Sequence, residues 1–182
     1  MKQLPKGLRE WLMNHAMVSK PQIIKEQKSD DKDTTKLLLK LEDGTFIETV
    51  CMHHVYGNSI CISTQVGCAM GCVFCASTQN GLERNLTAGE MLAQIYAFKE
   101  VFKQPIHSLV LMGAGEPLQN YEEVLKFINL CHDEDLLNIS YRNMTLSTCG
   151  IVPRIYRLAE EGIPITLAIS LHAPNDTIRN RI

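Results

Sequence analysis

The apolar positions change period along the chain, and the period assigns the elements. Over Leu4–His15, residues Leu4, Leu8, Trp11 and Leu12 share one helical face, with Pro5 tolerated in the first turn. Pro21–Gln27 is read as a second short helix. The polar run Lys28–Lys36 reads as a linker or exposed turn. Two strands follow, Leu37–Leu41 and Phe46–Cys51, joined by a tight turn at Asp43-Gly44. From residue 59 strand and helix alternate. Strands are expected at Ser59–Ser63, Ser108–Met112, Asn143–Ser147 and Ile165–Ser170, and helices at Ala88–Phe102, Tyr121–Cys131 and Val152–Glu161. Thr87 with Glu90 has the spacing of a capping box, and Asn120 with Glu123 has a similar pattern. Such alternation predicts an α/β fold of parallel βαβ units. In barrel-like versions of that architecture the chemistry sits at the carboxyl ends of the strands, and here the polar and special residues do follow the strands.

Composition changes this picture little. The chain has 182 residues, 45% hydrophobic and 21% charged, ordinary for a globular domain with a sizeable core. A net charge of -2 offers no basic surplus, so composition alone predicts no nucleic-acid partner. The local basic groups Lys2, Lys6, Arg9 and Arg179, Arg181 read as solvated surface. No apolar run approaches the roughly 20 residues that span a bilayer, and the N-terminus lacks a secretory layout, so a cytoplasmic protein is expected. Seven cysteines, an odd number, suit a reducing compartment better than a disulfide scaffold.

The cysteines carry the chemistry. Cys68, Cys72 and Cys75 form C-x3-C-x2-C after the first strand of the alternating series, with Phe74 before the last. Three thiolates on one short loop hold three irons of a 4Fe–4S cluster and leave the fourth iron open to a small molecule. The alternative is a zinc site completed by His53, His54 or His172, although three-cysteine zinc sites usually come as paired C-x2-C knuckles, and no second knuckle is present.

The cysteine loop resembles that of the radical S-adenosylmethionine (SAM) superfamily. The surrounding segments Ser59–Cys68, Gly81–Thr87, Met112–Pro117, Ser147–Pro153 and Ala168–Asp176 are similar to the radical SAM 23S ribosomal RNA (adenine-C2) methyltransferases, from about Leu4 to the last residue. The resemblance implies a partial (β/α) radical SAM barrel, about four of six βα units, with a β-hairpin extension and a short N-terminal helical remnant. It divides the chain into residues 1–34, the tail of a helical RNA-binding domain plus linker, and 35–182, the N-terminal part of a radical SAM core. It implies that Cys68, Cys72 and Cys75 hold the cluster, and that Gly115, Glu116, Ser147, Ser170, Leu171 and His172 bind SAM. A carboxylate such as Glu116 can pair with an ammonium, and a glycine such as Gly115 lets backbone approach a ligand.

Read alone, Cys61 is a small core residue. The resemblance instead makes it the partner, by disulfide formation, of a C-terminal methyl-carrying cysteine, with Glu48 as proton acceptor. The implied substrates are 23S ribosomal RNA and transfer RNA, and the implied electron donor is a flavodoxin or ferredoxin. Gly115-Glu116-Pro117 favours the C2 branch over the sister enzymes that methylate adenine C8. Cys51, Cys131 and Cys149 match no essential position and read as packing residues. The chain ends just past the fourth strand and contains no counterpart of the methyl-carrying cysteine. The polypeptide alone is therefore expected to be marginally stable and unable to complete methyl transfer. A zinc-stabilised RNA-binding module without catalysis is the reading from another class.

Overall fold

The computed structural model describes residues 4–16, 20–102 and 104–182. The chain runs through α1 (Lys6–His15), β1 (Gln22–Lys28), β2 (Thr34–Lys40), β3 (Phe46–His54), β4 (Gly57–Cys61), β5 (Gln65–Gly67), β6 (Leu82–Asn85) and α2 (Ala88–Phe102). It continues through β7 (Ile106–Leu111), α3 (Tyr121–His132), β8 (Met144–Thr148), α4 (Val152–Glu160), β9 (Thr166–Ile169) and α5 (Asp176–Arg179). Seven strands form one sheet in the order β1-β2-β3-β4-β7-β8-β9, and β5 pairs with β6 separately. The sheet is antiparallel from β1 to β4 and parallel from β4 to β9. The expected parallel units are therefore present, each within a few residues of its sequence assignment.

Side chains alternate across the sheet with a period of two, and the two faces differ. Leu37, Leu39, Ile47, Cys51, Ile60, Leu109, Leu111, Met144 and Leu146 are buried and share one core with Met91, Ile95 and Phe98 of α2 and Val124, Phe127 and Ile128 of α3. The intervening positions Leu38, Glu48, Val50, Cys61, Val110 and Ser147 stay half-buried or exposed. Helices thus cover one face, and the other is left for a site. At the far edge of the sheet, Leu167 and Ile169 of β9 remain 37% and 50% exposed. Among the described residues no helix is long and apolar enough to cross a membrane.

The segment assigned to a second helix is instead β1, paired antiparallel with β2 from Gln22↔Lys40 to Lys28↔Thr35, with a bulge between Ile23 and Lys25. Helix nucleation is costly and a seven-residue helix returns few hydrogen bonds, whereas the edge of β2 offers a ready ladder. The polar run after it is a turn: Ser29 N donates to Thr34 O at 2.9 Å and Lys32 N to Ser29 O at 3.0 Å.

The capping box at α2 is real, with Glu90 N donating to Thr87 Oγ1 at 3.2 Å and Thr87 N to Glu90 Oε2 at 2.9 Å. The second proposed box is not. Asn120 makes no side-chain cap; its Nδ2 donates to Thr64 O at 2.9 Å and Leu86 O at 2.7 Å. Glu123 Oε2 accepts from Ala88 N at 2.7 Å, at the start of α2. Asn120 thus ties three loops together from a buried position. Asn120→Ala leaves two buried carbonyls without that donor and is expected to cost about 2–4 kcal/mol. The check is a fall in melting temperature of the order of 10 °C.

Candidate active site

The parallel strands deliver their following loops to one rim. Ser63, after β4, is gripped by Gln94 of α2, whose Oε1 accepts from Ser63 N at 3.0 Å and whose Nε2 donates to Ser63 O at 2.9 Å. The loop after β7 packs directly against it: Gly113 N donates to Ile62 O at 3.1 Å and Thr64 N to Ala114 O at 2.8 Å. A Cβ on Gly113 would lie 2.7 Å from Ser63 N, so this backbone-to-backbone approach requires glycine. Gln65 is fully buried. Its Oε1 accepts from Glu116 N at 2.9 Å, and its Nε2 donates to Asn85 Oδ1 at 2.7 Å and Gln119 Oε1 at 3.2 Å.

Glu116 is 3% exposed. Its Oε1 accepts from Leu118 N at 3.0 Å and its Oε2 from Cys149 N at 2.8 Å. The carboxylate that sequence pairs with a ligand's ammonium accepts from two backbone amides, one in its own loop and one in the loop after β8. These bonds tie the loop after β7 to the loop after β8. Glu116→Gln turns one acceptor into a donor facing an amide, and is expected to destabilise the ligand-free protein by about 2 kcal/mol. A side chain that served only a ligand would leave ligand-free melting unchanged.

The cysteine loop bridges β5 and β6. Cys68 N donates to Gly81 O at 3.0 Å, and Cys75 N to Cys72 O at 3.0 Å. Thr78 Oγ1 accepts from Gly71 N at 3.0 Å and donates to Cys68 O at 3.2 Å, stitching the loop internally. Cys68 is buried, while Cys72 and Cys75 are half-buried. Burial pushes the Cys68 thiol up, and negative charge on Cys75, Cys72 and Glu116 pushes it further. The donors are soft sulfur, which suits an iron–sulfur cluster or zinc.

Zinc needs its donors to converge on one point at about 2.0–2.3 Å. Among the described residues no group of three or more His, Cys, Asp or Glu is arranged to hold a metal ion. His53 and His54 stand opposite Asn58 and Gly57, at the amino end of β4 and away from the rim. His172 does reach the loop, with its ring 4.8 Å from that of Phe74.

The other expected ligand-binding residues gather nearby. Ser147 Oγ and Ser170 Oγ, at the ends of β8 and β9, are 3.1 Å apart. Leu171 and His172 line a cavity of about 380 Å³ together with Cys72, Phe74, Cys149 and Arg179. Cys149, read from sequence as packing, is not a core residue. Its Sγ is 3.2 Å from Met70 Sδ in the cysteine loop, and burial and Glu116 push its thiol up to about 12.

A larger cleft, of about 880 Å³, opens on the uncovered sheet face and is lined by Glu48, Cys61, Ser63, Cys75 and Met112 among others. Cys61 lies opposite Val50. Glu48, two positions before Val50 on β3, is a diagonal neighbour of Cys61 on the same face. The Glu48 carboxylate is exposed and paired with Lys36 at 2.8 Å. Burial holds the Cys61 thiol above its ordinary range. All seven cysteines are free. Cys51 and Cys131 are buried in the core, with burial pushing them up to about 11 and about 12.

Gln94 and Arg179, which help hold these loops, carry no sequence signal that separates them from surface polar residues.

Residues 62–182 match the radical SAM superfamily. The chain is 53% identical over its 182 residues to a protein of Carboxydothermus hydrogenoformans named probable dual-specificity RNA methyltransferase RlmN, and covers 53% of it. It is equally similar to the protein of the same name from Clostridium acetobutylicum, again at 53% identity and covering 53%. The crystal structure of a radical SAM methyltransferase from Sphaerobacter thermophilus superposes with a TM-score of 0.91 at 43% identity, covering 99% of this chain and 54% of that one. The chain spans about half the length of the curated relatives it matches. A match over residues 62–182 decides the family: this chain belongs to the radical SAM superfamily.

Proposed function

We propose that the protein works as a radical SAM RNA methyltransferase acting on adenine C2 of 23S ribosomal RNA and of transfer RNA. One observation carries the reading: the three-thiol loop, the paired serines and the Cys61 cleft lie on the same rim of the sheet. The relatives' names supply the substrate class, and Gly115-Glu116-Pro117 favours C2 over C8.

Family membership implies an iron–sulfur cluster and SAM. When bound, these supply a reducing electron and a carbon radical, and the protein supplies position and electrostatics. In this reading Cys68, Cys72 and Cys75 would hold the cluster through their thiolates, with SAM bound beside it. Gly115 and Glu116 would meet the methionine part of SAM, and the Glu116 carboxylate also ties its loop to the one after β8. Ser147 and Ser170, whose hydroxyls lie together, would bind SAM's sugar and methionine, and Leu171 and His172 would line the adjoining wall. Cys61 lines the cleft, where its thiolate would form a disulfide with the methyl-carrying cysteine, breaking that cysteine's carbon–sulfur bond and leaving the electron pair on the product's carbon. Glu48, on the same face, accepts a proton from the methylated base. The methyl-carrying cysteine is assigned to none of this chain's seven. The protein works in the cytoplasm and draws electrons from a flavodoxin or ferredoxin.

Anaerobic reconstitution with iron and sulfide, followed by absorbance and electron paramagnetic resonance with and without SAM, tests the site. A brown protein whose 4Fe–4S signal shifts on adding SAM is expected. A colourless protein with one bound zinc and no response to SAM would replace this reading with the zinc-stabilised RNA-binding module. Mass spectrometry of RNA treated with a chain that includes the methyl-carrying segment then distinguishes C2 from C8.

A further inference from the structure

We propose that Arg179 is a positioning residue, which holds the loops after β8 and β9 in the shape that receives SAM. The inference rests on the reading of Ser147, Ser170, Leu171 and His172 as SAM-facing. Arg179 is half-buried, on the short helix α5, whose first turn is closed by Asn175 Oδ1 accepting from Ile178 N at 3.0 Å. Its guanidinium spans two loops: Nη1 donates to Leu171 O at 2.9 Å and Nη2 to Cys149 O at 2.5 Å. A planar fork of donors makes this bridge in a way that a single ammonium does not.

Both carbonyls sit at sensitive points. Leu171 O also accepts from Ala173 N at 2.6 Å. That bond closes a three-residue turn around His172, whose φ is +56°. For a side chain other than glycine this left-handed conformation is strained and persists only where its surroundings over-determine it. Arg179 supplies a charged hold on the carbonyl that closes the turn, and the turn sets the His172 ring against Phe74 of the cysteine loop. At Cys149 the backbone is held from both sides, the N–H by Glu116 and the C=O by Arg179. Gln65, Glu116, Cys149, Arg179 and Leu171 thus form one continuous strap from the start of β5 across the loops after β7, β8 and β9. Arg179 is its last link, placed to shape the SAM wall without touching the cluster cysteines.

The test uses the full-length holoenzyme, reconstituted anaerobically as wild type, Arg179→Gln and Arg179→Lys. The readouts are iron and sulfide content, ligand-free melting temperature, and a SAM titration of the cluster's paramagnetic signal. Arg179→Gln is expected to raise the Kd for SAM at least about tenfold, as loss of a supporting contact behind a ligand-binding group does. Cluster content should be unchanged, and Arg179→Lys should fall between wild type and Gln. KM for SAM should rise with kcat at saturating SAM largely kept. An unchanged Kd in either folded variant overturns the proposal, as does a variant that only melts earlier and loses cluster. Should Arg179→Gln not fold, Arg179→Lys decides alone by the same criterion. A wild-type signal that ignores SAM overturns the proposed function and this inference together; a wild-type shift that Arg179→Gln reproduces at equal SAM overturns this inference alone.

Discussion

In protein carrying Cys72→Ala, anaerobic reconstitution is expected to leave the 4Fe–4S absorbance and its SAM-dependent change below about a tenth of the unaltered level, because cysteine thiolate is the usual protein ligand of such a cluster. Cys68→Ala and Cys75→Ala should do the same. The loss follows from number as well as chemistry: under the proposed ligand set, in which one iron has no protein ligand, removing a thiolate leaves two without. Cys131→Ala is the matched control. That thiol is buried in the core, pushed up to about 12 by burial, and its removal should leave iron content intact. Cys149→Ala is the sharper control, since its sulfur touches Met70 inside the loop. Full iron in Cys149→Ala with none in Cys72→Ala supports the proposed ligand set. The reverse pattern would put Cys149 in the set and remove Cys72.

Gly67→Ala is expected to be the most damaging glycine substitution at the site. Gly67 has φ +74°, and a Cβ there would lie 2.0 Å from Gly81 O and 3.1 Å from Gly81 C, both backbone atoms. The contact is where the two ends of the cysteine loop cross, since Gly81 O accepts the Cys68 amide. Relief requires moving one of the strands β5 or β6, so the expected cost is at least about 3 kcal/mol, clash added to backbone strain. Gly71 isolates the second contribution: it shares φ +74° but has nothing within 4 Å of its Cβ position. Gly71→Ala should therefore cost only about 1–2 kcal/mol. For a chain of this size each kcal/mol moves the melting temperature by roughly 2–4 °C, so the two variants should separate clearly in one thermal melt. Equal shifts would show that strain alone governs both positions.

The regular elements were legible because their causes are local. The Thr87–Glu90 capping box and the apolar period after it place α2 at Ala88–Phe102, the bounds expected from sequence. The strands β4, β7, β8 and β9 each carry an apolar run bounded by turn residues, and their observed limits differ from the expected ones by a few residues. The same local logic misread β1. Ile23 and Ile24 suit a helix or a strand, and the choice fell to a partner, β2, met only after the turn at Ser29–Asp33. It also misread Asn120, whose neighbours in sequence suggest a cap while its amide is claimed by Thr64 and Leu86.

By itself the sequence determined the class of fold, the three-cysteine loop and the order of motifs along the rim. Those features are written in spacings of a few residues, within which the backbone leaves little freedom. The tertiary structure alone decided how the loops are held. It turned Glu116 away from solvent onto two amides, buried Gln65 and Gln94 at the junction of loops, set Cys149 against Met70 and spread Arg179 across two carbonyls. Each of these partnerships joins residues about 30 or more positions apart, except the local bonds Glu116 makes to Leu118 and Arg179 to Leu171. A polar side chain looks the same in sequence whether water or a distant backbone group will satisfy it. Only burial makes the difference matter, because a buried polar group must find a partner and the fold determines which one is within reach.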